Sequence, residues 1–98
     1  MGRQIPPDEV LAHPMRRAVL AHLIQAGGNS TSVVTSAQLG IHRQSLVKHA
    51  ALLIRGGHLW VSLDGRGSRR TLTLHITRRG RNAIARAINP TPMMELSP

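Results

Sequence analysis

Apolar positions recur at helical spacing in four stretches and alternate in two, with glycine, proline or polar turns between them. In the first stretch Met15, Val19 and Leu23 share a face, with Leu20 and Ile24 beside them. Pro14 suits the opening turn of that helix, and Gly27-Gly28 ends it. A second helix is expected over residues 30–38, capped by Ser30 or Thr31, with Val33, Val34 and Ala37 inward. Its β-branched run has poor helix propensity, so context alone supports it. The third helix is expected from Arg43 to Arg55, with Leu46, Ala50 and Leu53 inward, Gln44, Lys48 and Arg55 on the other side, and Gly56-Gly57 as its stop. Leu59, Val61 and Leu63 then alternate with Trp60 and Ser62, and Leu72, Leu74 and Ile76 alternate with Thr71, Thr73, His75 and Thr77. Both segments predict strands with one buried face, joined by a turn at 64–70. Thr77 should cap a last helix with Ala83, Ile84, Ala87 and Ile88 on one face, ended by Asn89-Pro90.

The chain of 98 residues is expected to hold one domain, residues 10–89, between a flexible arm (1–9) and a flexible tail (90–98). Pro6-Pro7 resists helix in the arm, and Asp8 would cap a short turn through Leu11. Leu39-Gly40-Ile41 is a glycine turn leading into a helix with one apolar and one basic face. A helix-turn-helix presents its second helix to a DNA groove in this way. With the hairpin that follows, the expected fold is mainly α with a small β hairpin: a winged helix of three helices, a two-stranded wing and a C-terminal helix.

Charge strengthens this reading. Thirteen basic residues face four acidic ones, a net +9, and no acidic side chain occurs between Val10 and Leu63, where Arg16, Arg17, Arg43, Lys48 and Arg55 lie. Such a surface attracts a polyanion through phosphate contacts and counterion release. A genome rich in GC explains arginine in place of lysine; it does not explain the shortage of acids. Trp60 is the only aromatic residue among Phe, Tyr and Trp. Single-strand binders stack bases on several aromatics, so double-stranded DNA is the expected partner.

Other chemistry finds little material. Cysteine is absent, which excludes disulfides, thiolate metal sites and a cysteine nucleophile. The acids are too few for acid–base catalysis, and Gly65-Arg66-Gly67 is too short for a phosphate loop. The histidines at 13, 22, 42, 49, 58 and 75 lack metal-ligand spacing, and His13 and His22 read as packing or surface residues. No catalytic residue, metal, cofactor or small-molecule site is expected. No apolar run reaches the length of a membrane span, and the start has no apolar h-region, so a cytoplasmic, nucleoid-associated protein is expected.

Three segments resemble winged-helix regulators of the ArsR and MarR-like type. His13 to Leu23 is similar to their opening helix. Ser45-Leu46-Val47-Lys48-His49, followed by Leu53 and Gly57, is similar to their recognition helix. Leu74-His75-Ile76-Thr77-Arg78-Arg79-Gly80-Arg81 is similar to their join from strand to helix. The resemblance implies a homodimeric transcription factor with one recognition helix per half-site. The second helix departs from it, lacking the usual acidic and leucine-rich pattern. Ala50 stands at a typical leucine, and Leu52 and Ile54 put apolar residues where polar ones are common. Lack of cysteine excludes thiolate metal sensing.

The expected DNA-binding residues follow from position. Gln44, Ser45 and Lys48 should face the major groove, with His42 and Arg43 at the helix N-terminus and His49 one turn on. Arg66, Ser68, Arg69 and Arg70 should meet backbone or minor groove. Ile84, Ile88, Met93 and Leu96 are the expected dimer interface, and a repressor is the expected role. The rival readings are an architectural DNA-binding protein with little sequence preference, and a winged-helix module of an RNA- or protein-containing assembly.

Overall fold

The computed structural model describes residues 10–88. Within them run α1 (Pro14–Gln25), β1 (Asn29–Thr31), α2 (Ser32–Leu39), α3 (Arg43–Arg55), β2 (Leu59–Asp64), a 3-10 turn (Gly67–Arg69), β3 (Thr71–Ile76) and α4 (Arg78–Ile88). The three strands form an antiparallel sheet in the order β1-β3-β2. The expected arm and tail, with Met93 and Leu96, lie outside the described residues.

α1 begins where Pro14 removes an N–H that has no helical partner anyway. The His13 ring, through Nδ1, accepts from the Met15 N–H at 3.1 Å and caps it. Val19, Leu20 and Leu23 form its buried face. They pack with Leu46, Ala50 and Leu53 of α3, Leu59 of β2, Leu74 and Ile76 of β3, and Ala83 and Ile84 of α4. These side chains come from helices on one side and the inner sheet face on the other, so one core joins α1, α3, α4 and the base of the hairpin.

The second helix turns the opposite way to expectation. Thr31 caps it, its hydroxyl accepting from the Val34 N–H at 3.1 Å. Ser32 and Thr35 are buried, while Val33 is 55% and Val34 48% exposed, and Ala37 is exposed too. The reason lies in spacing. Leu39 packs on the core, and Thr35 lies one turn before it, whereas Val34 lies about 140° away around the helix. Burying Leu39 therefore brings Thr35 inward. Thr35 is buried at little cost because its hydroxyl donates to the Thr31 carbonyl at 2.7 Å.

Two further expectations change. The sheet has a third strand, because Asn29, Ser30 and Thr31 pair with His75, Leu74 and Thr73. Burial also fades along β2: Leu59 is buried, Val61 half-buried and Leu63 exposed. The hairpin projects past the core, so its tip keeps the alternation without the cover.

Candidate nucleic-acid interface

Gly40 closes α2 in the left-handed region at φ 65°, which a side chain disfavours. Its N–H and that of Ile41 bond back to the Ala37 and Ser36 carbonyls, and Ile41 packs against the core. This turn sets where α3 starts. His42 caps α3, Nδ1 accepting from the Gln44 N–H at 3.1 Å. A neutral ring carrying its proton on Nε2 satisfies that bond and leaves a second donor at the N-terminus of α3. With Leu46, Ala50 and Leu53 buried, His42, Arg43, Gln44, Ser45 and Lys48 are all exposed. Five of the six residues expected on this helix thus form one exposed polar row over its first two turns.

His49 does not extend that row. It is half-buried, its Nδ1 accepts from Arg16 Nε at 3.3 Å, and its ring lies 4.6 Å from that of His13. Burial, with help from His13 and Arg16, pushes its pKa below the ordinary 6.5. His49 ties α3 to α1. Arg16 and Arg17 also act within the chain. Arg16 donates to the Val10 carbonyl at 3.0 Å, and Arg17 donates to the Leu11 and Ala12 carbonyls at 2.6 and 3.0 Å. Buried Val10 and Leu11 are anchored to α1 through them. Two of the cations counted toward the attractive surface are therefore occupied with the chain's own backbone.

The hairpin tip holds the second group. Arg66, Ser68, Arg69 and Arg70 are all exposed around the 3-10 turn. Asp64, at the end of β2, is the only carboxylate between residues 10 and 88. The local field at the tip is accordingly positive.

Both groups hang from one junction. Gly56, Gly57 and His58 join α3 to β2, and the first turn of α4 packs onto them. The Thr77 hydroxyl donates to the Gly57 carbonyl at 2.7 Å and accepts from the Gly80 N–H at 2.9 Å. The Thr77 N–H donates to the His58 carbonyl at 3.1 Å. Arg79 donates to the Gly56 carbonyl at 3.2 Å. At the start of α4 the Arg79 cation opposes that helix's dipole, yet it also faces the carbonyl end of α3, where a cation is favourable. That second contact gives the charge its structural use.

The solved structure of a transcriptional regulator homologue from Pyrococcus horikoshii OT3 superposes with a TM-score of 0.73 at 19% identity, over 82% of this chain and 78% of the other. The fold is a winged helix. An ArsR family transcriptional regulator, RHA00566, matches with a TM-score of 0.64 at 24% identity over 94% of both chains. Reduced AbfR bound to DNA matches with a TM-score of 0.67 at 18% identity, over 92% of this chain and 66% of the other. No protein-family model and no curated protein matches the sequence.

In winged-helix terms α2 and α3 are the helix-turn-helix, and β2 and β3 carry the wing. Of the expected dimer residues, Ile84 is 1% exposed within its own chain's core, so its side chain offers nothing to a partner. Sequence reasoning also missed β1, the Arg79 bridge and a stacked pair on the outer sheet face. In that pair Trp60 and His75 lie 3.9 Å apart and nearly parallel, and Ser62 hydrogen-bonds His75 at 2.9 Å. The cross-strand register Trp60↔His75 explains the stack, and reading it needs the hairpin register first.

Proposed function

We propose that this chain binds double-stranded DNA as a transcriptional regulator, with α3 in the major groove and the wing on backbone or minor groove. The observation that carries the reading is the exposed row His42, Arg43, Gln44, Ser45 and Lys48 at the start of α3, directly after the helix-turn-helix bend. Gln44 offers a bidentate match to adenine, Lys48 a donor to guanine, and Arg43 a phosphate contact. The arginines of the wing tip sit on a loop, which adapts to a backbone but fixes side chains less firmly than a helix does. AbfR, bound to DNA with the same fold, supports the assignment by analogy.

In this reading the active form is a homodimer acting as a cytoplasmic repressor, assembled through Ile88, Met93 and Leu96, so that two recognition helices meet half-sites about one turn apart, ~34 Å. Sedimentation at micromolar protein with duplex DNA should give a dimer on the duplex; a single chain per duplex removes this part. The second reading is architectural, and the exposed Arg78, Arg81 and Arg86 of α4, a further set of cations outside the helix-turn-helix and the wing tip, favour it.

Fluorescence anisotropy against matched DNA and RNA duplexes tests the main assignment. Tighter binding to DNA, weakening steeply with salt, is expected. Preference for the RNA duplex, or no binding to either, refutes it.

A further inference from the structure

The junction beneath the wing holds a buried histidine that the DNA reading leaves without a role. His58 is fully buried, and among the described residues neither ring nitrogen has a hydrogen-bond partner. A buried donor without a partner is a standing cost to folding. Two glycines make way for this residue. A Cβ on Gly56 would lie 2.6 Å from the ring, and one on Gly80 would run into the His58 carbonyl oxygen. That carbonyl accepts from the Thr77 N–H. α3, the wing and α4 therefore all close around this residue.

We propose that His58 is a proton-operated latch: its neutral ring closes the junction between α3, the wing and α4, and protonation opens it. The charges around it oppose an imidazolium. Arg79 of α4 packs against the junction, and Arg55, Arg78 and Arg81 are exposed on the same helices. The end of β3 and the residue after it contribute Ile76 and Thr77, which do not titrate, and His75 is engaged with Trp60 and Ser62. Asp64 stands at the far end of β2, about 20 Å along the strand from His58. Burial foremost, and then Arg79, lowers the pKa of His58 below the ordinary 6.5. The Leu53 carbonyl pulls weakly the other way; it is already taken by the His58 N–H at 2.8 Å and forms no hydrogen bond to the ring.

The sign follows. The unfolded or opened chain takes up the proton more readily than the closed one. Stability is therefore full above the ordinary histidine value and falls as pH drops below it. The consequence for DNA rests on the function proposed above; the latch itself does not. Opening uncouples the pose of α3 from that of the wing.

Trp60, the chain's single tryptophan, lies two residues from His58 and reports on the junction. Urea unfolding of the full chain, followed by Trp60 emission at about pH 7.5 and about pH 5.5, compares the native chain with His58→Leu and His49→Gln. The native chain should lose stability on acidification, and His49→Gln, which removes only the half-buried histidine, should keep most of that loss; each of the two lowered histidines raises the unfolding constant by up to about tenfold per pH unit. His58→Leu should lose most of that dependence; equal slopes in the native chain and His58→Leu overturn the latch. The His58 ring resonances of the native chain give a reading free of any variant's folding. Titration well below the ordinary range supports the latch, and titration at an ordinary histidine pH with the fold intact overturns it. Affinity for a random-sequence duplex should fall on acidification in the native chain and not in His58→Leu. A latch present in urea with no binding of the duplex at either pH contradicts the DNA reading alone.

Discussion

The two ends of α3 are built for opposite purposes. Its first two turns carry His42, Arg43, Gln44, Ser45 and Lys48 into solvent, and among the described residues only the His42 ring of these five side chains is engaged, as a cap. Its last turn and the three residues after it are closed by Thr77, Arg79 and Gly80, with His58 buried beneath. One end keeps polar groups unpaired with the rest of the chain; the other pairs its carbonyls with donors from the next helix. Surface available for a ligand and surface needed for the fold are thus separated along a single helix. Substitutions at the closed end should cost stability, and those at the open end should cost binding.

The largest effect is expected at Gly80. Gly80→Ala drives a methyl into the His58 carbonyl and within 2.9 Å of Ile76 Cγ1, and should destabilise by about 3 kcal/mol in urea unfolding. A neutral result would mean that α4 does not pack on the junction as described. Thr77→Ala removes the cap on Gly80 and the bond to Gly57, for about 1–2 kcal/mol, again read by Trp60 emission. At the open side the sign of the experiment changes. Neutralising Arg66, Arg69 and Arg70 together should leave the urea midpoint alone. The plot of log affinity against log salt should flatten by roughly three units if each arginine holds a phosphate. An unchanged slope would make the wing tip a solvated loop. The smallest effect is expected on α2, where Val34→Lys should move stability by no more than about 0.5 kcal/mol because Val34 faces solvent. A loss of several kcal/mol would restore the inward valines that hydrophobicity alone suggests.

α2 shows where sequence reasoning stops. In α3 the expected line Leu46, Ala50 and Leu53 is the buried one, although Val47, Ala51 and Ile54 repeat the same spacing and stay exposed. In α2 the more apolar residues, Val33 and Val34, are out of phase with Leu39, and the core selects the phase of Leu39. A local pattern read one helix at a time misses that competition. β1 was hidden for a related reason. Three polar residues carry no alternation, and their strand exists only because β3 offers an edge to pair with. The exposed polar row at the start of α3 and the basic wing tip were legible because charge and turn chemistry are local. The inward ties of Arg16, Arg17 and His49 were not, since each depends on a carbonyl or ring brought near by packing.

If the open end of α3 reads base edges, as proposed, its side chains must set the bound sequence. Selection of bound sequences from random duplex DNA, run in parallel on the native chain and Gln44→Ala, tests it most directly. The native chain should select a defined site, and the variant, of unchanged stability, should lose preference at one base position, a discrimination worth ~1–3 kcal/mol. Identical sequence preferences for the two chains, or no preference for either, would contradict it.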